Sequence, residues 1–162
     1  MLPKQRLMTA IYLRYRDQWL LLKRQGSKVV DDGLYTGTAG GHFEESEMGD
    51  PSACILRELK EETGLTESVL TDLKLRYICM RSKENEIRVN YFFFAELKIK
   101  PEEICSNEGT LRWVLEAELS QLPMPYSARQ AIDHFLALGH KTDDLYVGVK
   151  IEEGMAFLPI VS

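Results

Sequence analysis

The chain has 162 residues, of which 44% are hydrophobic and 28% charged. Both shares are those of a globular protein, which excludes a solvated disordered chain and fits a single domain over residues 1–162. Twenty basic residues against 25 acidic ones leave a net charge of −5. That excludes the basic face of a protein that coats polymeric nucleic acid, but not small anionic substrates, because a metal ion brings its own positive charge. Cys54, Cys79 and Cys105 are odd in number and lack CxxC spacing, so neither a zinc knuckle nor a disulfide framework is indicated. They read as reduced thiols of a cytoplasmic protein. Arg6, Arg14, Arg16 and Asp17 break up the apolar N-terminus, so neither a signal peptide nor a membrane span is expected.

In chain order, LMTAIYL (7–13) and WLLL (19–22) are short apolar runs around a polar RYRDQ turn, a hairpin of buried strands. Residues 25–41 hold five glycines and read as loop with a brief strand. A helix is predicted from Pro51 to Thr63. Residues 73–80 and 87–97 read as two long strands joined by a polar RSKENE turn, with the Tyr91–Phe94 rings in the core or lining a pocket. LRWVL (111–115) is a further short strand, and Trp19 and Trp113 are assigned to the core. Ala128, Ala131, Ile132, Phe135 and Leu136 form one face of a helix over 126–138, with Gly139 in the C′ position. His134 and His140 show no partner pattern. LYVGVKI, EEG and MAFLPI close the chain as a hairpin. Strands and helices mix without regular βαβ alternation, so a mixed sheet with helices on its faces is expected.

The segment with the most chemistry is Gly40–Leu65. Asp50 followed by Pro51 is an N-cap with proline at N1, and Gly64 is the stop. At about 100° per residue, Ile55, Leu56, Leu59 and Thr63 face one side, and Glu58, Glu61 and Glu62 the other. Like charges at this spacing repel, and they stand in the last two turns, where the helix dipole disfavours anions. A solvated acidic face is one explanation. The other is a bound cation: clustered carboxylates suit hard divalent ions such as Mg²⁺ or Mn²⁺ rather than zinc. Arg57, four residues before Glu61 and next to Glu58, is placed to orient a carboxylate. Gly40 and Gly41 let a ligand approach the backbone, and Glu44, Glu45 and Glu47 add oxygens to the loop that feeds the helix.

This segment resembles the Nudix box, G-x5-E-x7-R-E-U-x-E-E-x-G-U, where U is bulky and apolar. Gly41 and Glu47 match its first two fixed positions, and Arg57 through Leu65 match its second half without exception, so the box spans 41–65. Nine residues separate Glu47 from Arg57 instead of seven. The two extra residues fall before the N-cap, and Glu45 stands as an alternative to Glu47. The resemblance implies a Nudix-type α/β/α sandwich over most of the chain. It also implies an enzyme that hydrolyses a nucleoside diphosphate linked to another group with the aid of Mg²⁺ or Mn²⁺. By the same resemblance, Gly40, Glu58, Glu61 and Glu62 are metal ligands, and Glu58, Glu61 and Arg57 belong to the catalytic centre. Glu108, in the loop before the LRWVL strand, is the candidate base or outer ligand. Arg24 is the phosphate-contacting arginine at a strand end, and His42 a substrate-side loop residue. A MutT-like hydrolase cleaving a nucleoside triphosphate, an oxidised one included, to monophosphate and pyrophosphate is the leading expectation. The alternatives are an ADP-ribose or nucleotide-sugar pyrophosphatase and a non-catalytic nucleotide sensor. The expected partner is a small nucleotide, with no membrane or polymeric nucleic acid and with a homodimer left open.

Overall fold

The computed structural model describes residues 2–25 and 33–161. The segment 26–32 of the glycine-rich 25–41 loop lies outside the described residues. The strands are β1 (Lys4–Tyr15), β2 (Gln18–Arg24), β3 (Tyr35–Thr36), β4 (Ala39–His42), β5 (Leu70–Lys83), β6 (Glu86–Leu97), β7 (Gly109–Leu115), β8 (Leu145–Lys150) and β9 (Met155–Ile160). Two α-helices, α1 (Pro51–Thr63) and α2 (Tyr126–Ala137), join them, with short 3₁₀ turns between.

The strands form one mixed sheet in the order β3-β2-β1-β6-β5-β8-β9, with β4 beside β1 and β7 beside β2. The β1–β6 and β5–β8 pairs are parallel and the others antiparallel. A sheet covered on both faces needs apolar residues at consecutive positions, and the apolar runs of β1, β2 and β6 supply them. Tyr12, Trp19, Leu21, Phe92 and Phe94 pack with Ala131, Ile132 and Phe135 of α2. Ile11, Leu13, Leu20, Phe93 and Ala95 pack with Ile55 and Leu59 of α1. The result is the expected mixed sheet between helices.

The polar hairpin turns are shorter than their composition indicates. Only Arg16–Asp17 separate β1 from β2 and only Glu84–Asn85 separate β5 from β6, with Arg16 and Glu84 taking the positive φ that each turn needs. Strand pairing therefore continues through residues that the sequence assigns to loop.

Helix α1 has the boundaries its signals require. The Asp50 carboxylate accepts the Ala53 N–H at 3.1 Å, and Gly64 stops the helix at φ 79° while donating to the Lys60 carbonyl. The end of α2 differs from expectation. Leu138 is the cap residue, and Gly139 opens a 3₁₀ turn instead of taking a left-handed C′ conformation. A side chain at Gly139 would run into the Tyr77 hydroxyl, so close approach is what this glycine provides. His134 and His140 both have partners: the Tyr77 hydroxyl lies 2.8 Å from His134 Nδ1, and the Phe135 carbonyl 3.0 Å from His140 Nδ1. Trp19 is fully buried, whereas Trp113 is half-exposed beneath Lys100.

Arg76 ties the turn after α2 to the sheet. Its buried guanidinium donates to the carbonyls of Gly139, Thr142 and Asp144 at 2.7, 2.8 and 3.1 Å. Arg76→Met leaves those acceptors without their charged donor and is expected to cost about 2–3 kcal/mol, measured by denaturant unfolding.

Candidate active site

A cleft of about 860 Å³ opens on the α2 face of the sheet, between β1, β4 and the start of α2. Its acidic end is built from the β4 glycines and the last two turns of α1. The Gly40 N–H donates to Glu62 Oε2 at 2.8 Å. A side chain at Gly41 would collide with the Glu58 carboxylate, so glycine there lets the helix carboxylates come against the strand. Thr9 on β1 accounts for the neighbouring polar atoms: its hydroxyl donates to the Gly41 carbonyl at 3.3 Å and lies 3.4 Å from Cys54 Sγ.

Arg57 holds this end together. Its Nε and Nη2 grip Glu47 as a bidentate pair at 2.6 and 2.9 Å. Its Nη1 donates to Glu58 at 3.0 Å and to Glu61 at 3.1 Å, and Nη2 also reaches the His42 carbonyl at 3.1 Å. Glu44 lies within 3.6 Å. Glu47, not Glu45, is therefore the buried carboxylate that the arginine grips, and the turn at Met48–Gly49 brings it there with α1 still starting at Pro51. The hydrogen bonds from Arg57 hold the Glu47 carboxyl down at about 2.

Glu58 and Glu62 are in a different state. Burial raises both, and like charge adds to it. Glu62 is pushed up to about 7, mainly by burial and further by Glu58 and Glu108, although the Gly40 N–H pulls the other way. Glu108 lines the cleft on the loop before β7. Asn107 fastens that loop to the end of α1, its N–H to the Glu62 carbonyl at 3.4 Å and its side-chain amide to the Glu61 carbonyl at 3.3 Å. Arg24 lines the same end, and its buried Nε has no hydrogen-bond partner among the described residues.

The sequence-predicted residues thus divide. Gly40, Glu58, Glu62, Glu108, Arg24, Arg57 and His42 all line the cleft. Glu61 does not; its carboxylate is exposed at the rim against Arg57. His42 pairs with Arg6, its Nε2 at 2.9 Å from Nη2, and burial lowers its pKa. Among the described residues, no three His, Cys, Asp or Glu side chains converge on one point to hold a metal unaided. Two half-buried carboxylates, both raised by burial and by neighbouring carboxylates, do fit Mg²⁺, which takes one or two protein carboxylates and completes its shell with water and substrate phosphates.

Of the Tyr91–Phe94 rings that the sequence left to core or pocket, Phe92 lines the cleft; sequence reasoning missed the rest of this lining. Phe92 and Tyr12 floor its middle, and Tyr126 and Ser127 at the start of α2 border it with buried hydroxyls that find no hydrogen-bond partner among the described residues. Arg6, Arg81 and Arg88 line its far end. No local motif marks these residues; only strand register brings them together.

The family model of the NUDIX domain matches residues 4–135, most of the chain. The chain belongs to the NUDIX family. It therefore carries the fold of hydrolases that act on pyrophosphate bonds, and the Gly40–Glu62 end of the cleft is the part built from the Nudix box. Among curated proteins, no sequence match is found. Solved structures agree in fold. The mutator MutT protein from Bacillus halodurans is 23% identical, with a TM-score of 0.68 over 95% of this chain and 97% of that one. The MutT protein from Methanosarcina mazei is 17% identical, with a TM-score of 0.66 over 85% and 96%. The NUDIX domain of Shewanella oneidensis NrtR, complexed with ADP ribose, is 20% identical, with a TM-score of 0.65 over 85% and 89%. No described helix of this Nudix chain is long and apolar enough to cross a membrane.

The Glu47–Arg57 pair sets an acid limit on stability. Because the folded carboxyl titrates near 2 and its ordinary value is 4.5, the pair contributes fully above about pH 4.5 and loses its contribution as pH falls toward 2. Glu47→Gln is expected to lower the melting temperature at pH 7 and to flatten its fall between pH 4.5 and 2. Thermal unfolding across that range is the measurement.

Proposed function

We propose that this chain is a single-domain, cytoplasmic, Mg²⁺-dependent pyrophosphohydrolase. Its reading as a MutT-like enzyme has a nucleoside triphosphate, an oxidised one included, hydrolysed to monophosphate and pyrophosphate. The observation that carries the reading is the meeting of Glu58, Glu62, Glu108 and Arg24 around Gly40 at one end of a nucleotide-sized cleft.

In this reading Glu58 and Glu62 hold the metal together with backbone and phosphate oxygens. When bound, the ion neutralises the phosphates and acidifies a coordinated water. Arg57 fixes the Glu58 carboxylate, so the ligand is in place before the substrate arrives. Arg24, whose buried Nε has no hydrogen-bond partner among the described residues, donates to a phosphate oxygen. Water attacks phosphorus, its proton passes to Glu108, and the bridging P–O bond breaks, releasing pyrophosphate. The purine lies on the apolar middle of the cleft, against Phe92 and Tyr12. A sensor without turnover has no need of Glu58 and Glu62 in mutual repulsion, and this favours the enzyme.

A second reading is an ADP-ribose or nucleotide-sugar pyrophosphatase. It is favoured by the length of the cleft, which runs past the apolar floor to Arg6 and Arg88, and by the ADP ribose bound to the NrtR relative. Release of phosphate, pyrophosphate or nucleoside monophosphate from a panel of nucleoside triphosphates and diphosphate-linked nucleotides separates the two.

Turnover is expected with Mg²⁺ or Mn²⁺, to be weak with Zn²⁺, and to vanish in excess chelator; full turnover in chelator refutes the metal assignment. Glu62→Gln is expected to split stability from catalysis. In chelator its melting point should hold or rise, a gain of up to about 1 kcal/mol, because one of two repelling carboxylates near a helix C-terminus is neutralised. In Mg²⁺ its turnover should fall by about two orders of magnitude or more. A less stable variant with unchanged turnover would make Glu62 a structural residue.

A further inference from the structure

The floor of the cleft is ordered in rows, because β1, β6 and β5 lie side by side and alternate residues face the same way. At the level of Gly40 the row is Ala10 and Phe92, apolar. Two residues down β1 the row is Met8 and Asn90, next to His42. Two further on, Arg6 of β1 stands beside Arg88 of β6, and Arg88 stands opposite Arg81 of β5. Three arginines thus occupy neighbouring positions across three adjacent strands, and all three line the cleft, with Lys83 beside them.

Like charges directly opposite one another destabilise a sheet. One carboxylate, Glu86, serves both Arg6 at 3.7 Å and Arg88 at 3.1 Å. The Arg81 guanidinium lies over the Tyr126 ring, 5.2 Å from its centre. Tyr126 and Ser127 add buried hydroxyls without hydrogen-bond partners among the described residues. A row of guanidiniums with neighbouring hydroxyls, in a cleft and not on an open face, is a site for a phosphoryl group. Four residues separate Arg6 from the Gly40 level, which at about 3.3 Å per residue puts the row about 13 Å from the acidic end.

We propose that Arg6, Arg81 and Arg88 form a second anion subsite. It selects nucleotides that carry, besides the scissile pyrophosphate, a further phosphoryl group on the ribose or on the linked moiety. The proposal rests on the reading that the Gly40–Glu62 end handles the pyrophosphate. The two anionic ends of such a substrate then bracket a base laid on Phe92. A plain nucleoside triphosphate fills the acidic end and the apolar floor and leaves the arginine row without a ligand.

Matched pairs differing only in the remote phosphate test this. One pair is coenzyme A and 3′-dephospho-coenzyme A; the other is guanosine 5′-triphosphate 3′-diphosphate and guanosine triphosphate. Binding is measured by calorimetry in chelator, and kcat/KM in Mg²⁺. In at least one pair, the remotely phosphorylated member should bind about tenfold more tightly or better and be turned over with a matching preference. In Arg88→Gln and in Arg81→Gln that preference ratio should collapse toward one. The melting temperature of each variant is measured alongside, so that loss of the ratio is read from folded protein only.

Equal binding of both members in both pairs, with hydrolysis intact, overturns the arginine subsite and leaves the hydrolase reading standing. A preference that the arginine variants abolish, without hydrolysis of any probe, supports the subsite and overturns the hydrolase reading instead. A 5′-triphosphorylated RNA oligonucleotide bound more tightly than every mononucleotide probe overturns the assignment to a small substrate.

Discussion

One guanidinium holds the loop before α1 and most of the acidic helix face in place. Arg57 reaches Glu47, Glu58, Glu61 and Glu44 and also a backbone carbonyl, so a helix face that would repel itself is held in a fixed arrangement. Its bidentate grip on Glu47 spans the loop before α1 and ties that loop to the helix. Removing one partner of such a buried pair costs more than the pair contributes, because a charge is left behind in a medium that solvates it poorly. The same side chain aims Glu58 at the strand glycines. Structural stability and the placement of the Glu58 carboxylate in the cleft are here one interaction.

Arg57 does not neutralise every carboxylate at this end. Glu62 lies beyond its reach, half-buried, with the Gly40 N–H donating to it and Glu58 and Glu108 adding negative charge. That carboxylate is raised to about 7, whereas Glu47 is held at about 2. At Glu47 the Arg57 hydrogen bonds outweigh burial, whereas at Glu62 burial dominates, Glu58 and Glu108 add to it, and the Gly40 amide offsets only part. A divalent ion between Glu58 and Glu62 would supply the missing charge, and phosphate oxygens would complete its shell.

The cleft is electrically polar along its length. Carboxylates stand at the end built by β4 and α1 and arginines at the end built by β1, β5 and β6, with the Ala10–Phe92 and Met8–Asn90 rows leading from one to the other. The sheet makes this possible because α2 starts only at Tyr126 and covers the Tyr12–Phe94 part of the face, leaving the Arg6–Arg88 part open.

The acidic end was legible in the sequence because its parts are local. Asp50, Pro51 and Gly64 fix the ends of α1 by backbone chemistry, and a 3.6-residue period fixes which glutamates share a face. The burial of both sheet faces followed from consecutive apolar residues in β1, β2 and β6. Tertiary structure decided what depends on register and on contacts distant in sequence. Glu61 and Glu62 are adjacent on one helix, yet Arg57 draws one to the rim while Gly40 draws the other inward. Gly139 looked like a helix stop and is instead the space the Tyr77 hydroxyl needs. Arg81 fell in an apparent polar turn, but the β5–β6 pairing runs on to a two-residue turn and sets it opposite Arg88. A hydrophobic pattern shows which side of a strand is buried; which residue of a distant strand lies alongside is set by hydrogen-bond pairing across the sheet, and no local signal encodes it.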